Sequence, residues 1–297
     1  MELRVLRYFV EASRAENISR AAAKLHVSQP AMSKQLRQLE EELGKKLFKR
    51  TNYSIQLTAE GMLFRERAED ILDMVHKTQL EFAAMDDEIA GDIYIGGAES
   101  AAFQHIAKAA KALKETHPDI RYHIYSGNCE DLDYRLEKGL LDFAFTLQSV
   151  NREEYNFLKI PDGDTWGVIM RRDHPLSKKK RIRLSDLQEQ PLICSREAMR
   201  EEYPAWFGEE LSGINIVATF NLFYNASLMV REGLGIAVCI DRLAQTGEDD
   251  ELCFRPLSPK LFSPLNLVWK KYQHLSPAAE LFLKKMRQMY GEGEIIS

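Results

Sequence analysis

An α+β multidomain chain is predicted, with a small all-α head over residues 1–58, a long linker helix over 59–90 and an α/β body over 91–297. Three observations predict it. Between Ile18 and Leu43 apolar residues recur at helical intervals in two short runs broken by a turn. From Phe64 to Ile89 they fall at alternating four- and three-residue steps, the spacing of a coiled-coil seam. Beyond Gly91, β-branched and aromatic runs alternate with helical ones.

In the head, the small pair Ala21 and Ala22 lets a first helix approach its neighbour closely, while Leu25, Met32, Leu36, Leu39 and Leu43 supply a buried stripe. His26-Val27-Ser28 forms the turn. Ser28 is a helix cap, and Pro30 stands just inside the helix, where its missing N–H costs little. Two short helices crossing in this way form a helix-turn-helix, whose second helix enters the major groove of DNA. With the stripe facing inward, Gln29, Pro30, Ser33, Lys34 and Arg37 are expected to face out. Gln29 and Ser33, near the helix N-terminus, are the candidates for base contacts, and Lys34 and Arg37 for phosphates. A solvated polar helix in an ordinary bundle has the same periodicity, so the surrounding residues decide. Residues 1–61 hold eleven Lys and Arg against seven acids, a local excess of +4 in a chain whose net charge is −5. A positive field confined to the head fits a limited set of phosphate contacts.

The pattern extends well beyond the two helices. Leu3, Leu6, Phe9 and Val10 mark an N-terminal apolar helix; Ala21-Ala22, Leu25, Ser28-Gln29-Pro30-Ala31, Ser33, Leu39-Glu40, Leu43-Gly44, Leu47-Phe48, Arg50, Leu57-Thr58 and Gly61 follow at fixed spacing. Over these sixty or so residues the chain resembles the LysR-type transcriptional regulators. The resemblance implies that the head is a winged helix-turn-helix DNA-binding domain, with Lys49 to Thr58 as a two-stranded wing turning through Thr51-Asn52-Tyr53-Ser54. Lys49 and Arg50 become phosphate or groove contacts, and Arg20 and Ser28 join the DNA-facing set. Where the family often has a second wing arginine, three residues after Arg50, this chain has Tyr53, which takes that position in the DNA-facing set without the charge.

Thr58 caps the linker helix and Glu60 stands at the favourable end of its dipole. Phe64, Ala68, Ile71, Val75, Phe82 and Met85 are the expected dimerisation residues, with Thr78 as the polar position and Ile89 at the end. The competing reading is a stripe packed on the chain's own body; its position between a DNA reader and a second domain favours a dimer interface. Paired readers would address a roughly palindromic site with half-sites about 34–36 Å apart or a multiple of that.

In the body, strands are expected at Ile93 to Ala98, Ile120 to Tyr125, Asp142 to Thr146, Trp166 to Met170, Leu192 to Cys194, Ile216 to Phe220, Gly235 to Ile240 and Leu265 to Trp269. Alternation with helices predicts a parallel sheet covered on both faces, in two α/β subdomains. Pro161-Asp162-Gly163 and Ser263-Pro264 are expected crossover points and hinges, and Ser276-Pro277 starts a final helix. By resemblance, the body is an effector-binding regulatory domain like a type 2 periplasmic binding protein. Its last strand and helix would return to the first subdomain, giving subdomain I about 91–161 and 265–297 and subdomain II about 162–264. Ligands of open α/β sheets sit beyond the carboxyl ends of the strands. That places Glu99, Ser100, Ser126, Gly127, Asn128, Thr146 and Gln148 on one side of a cleft, and Ser195, Arg196, Phe223, Tyr224 and Asn225 on the other. Ser100 and Asn128 begin helices, so capping and ligand contact are both open to them. Free helix N-termini favour an anion, whereas Glu99 favours a ligand bearing an amine or several hydroxyls, or no small ligand at all.

Catalytic constellations are missing from the sequence: no HExxH, GxSxG, phosphate-binding loop or GxGxxG occurs, and no metal or cofactor is expected. Gly233-Leu234-Gly235 reads as a helix stop. Cys129, Cys194, Cys239 and Cys253 are widely spaced, which favours buried reduced thiols over a redox pair. The basic run Lys178 to Arg183 reads as a solvated loop. Met1-Glu2-Leu3-Arg4 leads straight into an amphipathic helix, and no apolar stretch is long enough to span a bilayer, so a cytoplasmic protein without membrane contact is expected. A solute-binding protein or an enzyme sharing the cleft would lack the reader or need the missing chemistry. The expected partners are double-stranded promoter DNA, further copies of the chain as a dimer or tetramer, a small-molecule effector and, by resemblance, RNA polymerase. Oxidation of a cysteine or a protein partner is the alternative signal.

Overall fold

The computed structural model describes residues 1–50, 54–83, 90–146, 153–200, 202–208 and 213–291. It divides into two compact units, Met1–Ala83 and Ala84–Ser297. In the first, helices α1 (Leu3–Ala15), α2 (Ile18–Lys24) and α3 (Gln29–Leu43) precede a two-stranded antiparallel ribbon, β1 (Phe48–Arg50) and β2 (Ile55–Leu57), and the long helix α4 (Ala59–Ala83). Each helix start has a local cause. The Asn17 side chain accepts the Arg20 N–H, Ser28 accepts the Ala31 N–H, and Thr58 accepts the Gly61 N–H at 2.9 Å. Gly44, in the left-handed region at φ 63°, ends α3.

The head's core gathers Leu6, Phe9, Ala21, Ala22, Met32, Leu36 and Leu39. Phe9 packs against Phe48 at 5.0 Å and edge-on against Phe64 at 4.9 Å, so one ring of α1 joins the ribbon to α4. Gly61 permits the closest approach: a Cβ there would stand 2.1 Å from the Leu47 carbonyl oxygen.

Four head expectations need correction. Leu25, at the end of α2, packs against the core but is only half-buried, and Leu43 is exposed in the last turn of α3. Ser33 is buried instead of facing out. Both α1 and α2 pack on α3, and the covered face widens to Met32, Ser33, Leu36, Leu39 and Glu40. Ala68 is fully buried in the head's own core, with Phe64 packed against it, so the first two seam positions hold α4 to α1.

In the second unit a sheet runs in the order β4-β3-β5-β11-β6-β9-β7-β8, with β10 also on β6. Its strands are β3 (Gly91–Gly97), β4 (Ile120–Ser126), β5 (Phe143–Thr146), β6 (Tyr155–Arg171), β7 (Leu192–Ser195), β8 (Ile216–Phe220), β9 (Ile236–Ile240), β10 (Leu252–Pro256) and β11 (Phe262–Lys270). The helices are α5 (Gln104–Lys114), α6 (Cys129–Glu137), α7 (Glu202–Phe207), α8 (Phe223–Arg231) and α9 (Pro277–Tyr290). The sheet is mixed, which corrects the all-parallel expectation: β3 is parallel to β4 and β5, and β7 to β8 and β9, but β11 runs antiparallel to β5 and β6. The long strand β6 accounts for this. Its first half completes one subdomain against β11, and its second half pairs with β9 and β10 in the other.

Phe282, Leu283 and Met286 of α9 pack into the same core as Ile93, Ile95, Phe143 and Leu267. Trp166, Val168, Leu192 and Val238 belong to a separate core in the other half. Between the two halves Gly163 pairs with Pro264 while Ile160 pairs with Leu265, leaving Pro161 and Asp162 as a bulge. Beside it the Trp166 indole N–H donates to the Ser263 hydroxyl at 2.8 Å, tying the two crossing strands together.

Candidate functional sites

In the head, Arg20, Ser28, Gln29, Pro30, Lys34, Arg37 and Lys49 are exposed. Gln29, Pro30, Lys34 and Arg37 lie on one helix whose start is fixed by the Ser28 cap. Ser33 is engaged within that helix: its hydroxyl accepts a weak hydrogen bond from Arg37 at 3.4 Å. Tyr53 and the side chain of Arg50 lie outside the described residues. Beneath this face Glu40 sets the ribbon. Its carboxylate accepts the N–H groups of Leu47 at 2.9 Å and Phe48 at 3.1 Å and the Lys46 ammonium at 3.0 Å. Burial pushes the Glu40 carboxyl upward, but those three partners outweigh burial and hold it below its ordinary value.

On α4, Ile71 and Phe82 are exposed and Val75 is half-buried. Thr78 donates to the Met74 carbonyl of its own helix at 2.9 Å. Met85 and Ile89 lie outside the described residues.

In the body, a cavity of about 70 Å³ opens between the subdomains. Of the expected effector residues, Glu99, Ser195 and Phe223 line it. Asn128 and Arg196 line a smaller neighbouring hollow. The others are placed elsewhere. Ser126, Gly127 and Thr146 are not on the walls of either space, and Gln148 lies outside the described residues. Tyr224 and Asn225 point outward because α8 buries Phe223, Ala226, Ser227 and Val230. Cys129, Trp166, Glu197, Phe220 and Leu243, none of them among the expected residues, are also on the wall. Glu197 was within reach of the sequence, two residues beyond Ser195 in the same post-strand segment.

Ser100 serves the start of the second half of β6. Its hydroxyl caps the turn at Ala101–Phe103 by accepting the Ala102 N–H, and donates to Asp164 at 2.5 Å. Asp164 is fully buried on β6, and Arg242 donates to its other oxygen at 3.0 Å. Burial raises the Asp164 carboxyl above its ordinary value, and the Asp241 charge adds to this, against the pull of Ser100 and Arg242.

All four cysteines are unpaired and buried. Burial pushes the Cys194 thiol up to about 12 and the Cys129, Cys239 and Cys253 thiols upward as well, which suppresses the reactive thiolate. Among the described residues, no group of three His, Cys, Asp or Glu side chains could hold a metal, and no helix is long and apolar enough to cross a membrane.

Comparison with known proteins follows the same division of the chain. Residues 3–62 match the bacterial regulatory helix-turn-helix proteins of the lysR family, and residues 86–291 match the LysR substrate binding domain. The Hca operon transcriptional activator HcaR of Escherichia coli (strain K12) is 30% identical over 288 residues, covering 95% of this chain and 96% of HcaR. YvbU, an uncharacterised helix-turn-helix regulator of Bacillus subtilis (strain 168), is 25% identical over 98% of this chain and 99% of its own. The solved structure of CbnR, a LysR family transcriptional regulator, superposes with a TM-score of 0.77 at 20% identity, over 98% of this chain and all of that one. Full-length CbnR complexed with its target DNA gives 0.75 at 20% identity, over 97% and 99%. At that identity the two structures speak for the fold, and the sequence matches speak for the family. The chain belongs to the LysR family of bacterial helix-turn-helix transcriptional regulators.

Proposed function

We propose that the chain reads promoter DNA through the exposed side of α3 and adjusts that reading when a small molecule enters the cleft of its body. The observation that carries the reading is the Gln29, Pro30, Lys34 and Arg37 face, which presents an amide and two cations from a helix whose start is fixed by a cap. Gln29 contacts a base edge; Lys34, Arg37, Arg20 and Lys49 hold phosphates; Ser28 positions the helix. The exposed apolar residues Ile71 and Phe82 of α4 pair two protomers, which a tetramer would double. RNA polymerase is the further partner of the assembled complex.

The effector is a small molecule bearing an amine or several hydroxyls, because the charged side chains on the described cavity wall are the carboxylates of Glu99 and Glu197. Its entry changes the closure of the two subdomains about the Pro161–Asp162 bulge, shifts contacts between protomers and resets the spacing of the readers. A promoter fragment recovered from cells by crosslinking to the full-length chain supplies the test. Footprinting should show two protected half-sites whose spacing or occupancy changes with an amine or polyol found in a thermal-shift screen. One protected half-site, occupied by a monomer and indifferent to every stabilising compound, overturns the proposal.

A further inference from the structure

The cleft contains a reciprocal pair of contacts. Helix α8 begins at Phe223 with Leu222 in the capping position, a side chain that has no acceptor to offer. The acceptor comes from the other subdomain: the Glu99 carboxylate, just past β3, accepts the Phe223 N–H. Helix α6 begins at Cys129 on the Glu99 side of the cleft. Asn128 caps its Asp131 N–H locally, while the Cys129 N–H is taken at 2.8 Å by Glu197, which follows β7 on the α8 side. Each subdomain therefore sends one carboxylate to the positive end of a nine-residue helix in the other. Glu130 of α6 and Arg200 add an exposed ion pair across the same opening.

Free N–H groups at a helix N-terminus bind anions, and a charge-assisted hydrogen bond there is stronger than a neutral one. Here both positions are already filled by anions tethered to the chain. A tethered carboxylate competes at a high effective concentration, so a free anion must displace it and also approach two negative side chains. No Lys or Arg is among the described residues of the wall that carries both carboxylates; Arg196 and Arg200 line the adjoining hollow that Glu197 also borders, where Arg200 is paired with Glu130.

We infer that Glu99 and Glu197 form a built-in latch, holding the two subdomains together without effector and setting the cleft's specificity by occupying the two helix termini where an anionic ligand would bind. Two independent caps would have the same static geometry, but a latch couples them. If one opening motion breaks both contacts, removal of either carboxylate exposes both amides. Promoter regulation through this latch rests on the function proposed above, whereas the latch itself is tested without DNA.

Hydrogen–deuterium exchange of the full-length chain, read at the Phe223 and Cys129 amides by NMR, is the experiment. In Glu99→Ala, exchange at Phe223 should rise by about tenfold or more, and exchange at Cys129 should rise with it. Glu197→Ala should do the converse. If each variant speeds only the amide that it touches, the latch is refuted. Millimolar acetate should restore protection at Phe223 in Glu99→Ala and leave the wild-type chain unchanged; failure to restore it overturns the assignment of Glu99 as a substitute anion. Should an alanine variant fold poorly, Glu99→Gln and Glu197→Gln keep an acceptor without the charge and should show the same coupled change at smaller size. Coupled amides with unaltered promoter binding would leave the latch standing and count against the regulatory reading of the cleft.

Discussion

The Glu40 carboxylate accepts the Phe48 backbone N–H at 3.1 Å, fastening the last turn of α3 to the first strand of the ribbon. A side chain on α3 thus sets where the ribbon starts. Glu40→Gln keeps one acceptor but loses the charge and its bond to Lys46. Because Lys46 is largely exposed, most of the loss falls on the two N–H contacts, about 1–3 kcal/mol at neutral pH. In the unfolded chain this carboxyl titrates near its ordinary value of 4.5, and in the fold it titrates lower. Its stabilisation is therefore complete above the ordinary value and disappears as the pH falls through the folded one. Urea melts of wild type and variant should differ at pH 7 and converge in strongly acidic buffer.

Gly61→Ala should destabilise the head by about 1–3 kcal/mol or more, because the added carbon would meet the Leu47 carbonyl oxygen, a backbone atom that cannot swing away. Circular dichroism melts will show the loss. A variant as stable as wild type would mean that α4 and the ribbon separate easily.

Base preference should separate Gln29 from Ser33. Gln29→Ala is expected to flatten discrimination among half-site sequences by about 1–3 kcal/mol, whereas Ser33→Ala, altering a buried hydroxyl, should leave it nearly intact. Lys34→Ala should weaken binding to every sequence and lower the salt slope by about one. Gel-shift titrations across salt concentrations distinguish these outcomes.

Phe82→Asp should split the pair of protomers, since a charge at an exposed apolar position of α4 cannot be buried without a partner. Light scattering reads the mass directly. An undiminished mass would place the interface elsewhere.

Where β6 and β11 cross, Ser263→Ala removes the acceptor of the buried Trp166 indole N–H. The cost should be about 1–3 kcal/mol, with a change in tryptophan emission as water gains access to the ring. Unchanged emission would show that β6 and β11 stay closed without that bond.

Much of the head was legible because its information is local. Ser28 and Thr58 act within three residues of themselves, and the periodicity of Met32, Leu36 and Leu39 survives in the fold. The burial of Ser33 and the absorption of Phe64 and Ala68 into the head's core were not legible. They depend on α1 and α2 covering α3, and α1 covering α4, and one helix's period does not report how many neighbours it has. The first half of β6 escaped the reading for a related reason: Tyr155 to Ile160 is a strand by virtue of β11, which lies about a hundred residues later. The cleft was half legible. Glu99 follows its strand as expected, but Trp166 enters the wall from the middle of a strand that crosses between subdomains, where a rule based on strand ends does not look.

The shared strand β11 also has a bearing on synthesis. The first subdomain's β5 is complete at Thr146, yet β11 inserts between β5 and β6 and α9 fills the core beneath them. A ribosome adding about 5–20 residues per second needs roughly 6–23 s to travel from Thr146 to Phe262. During that interval the head has all of its own residues and can fold, while β5 waits with one edge unpaired and its apolar side chains uncovered. Aggregation during expression is therefore a hazard of the body, and a chain truncated before β11 should be the form most dependent on chaperones.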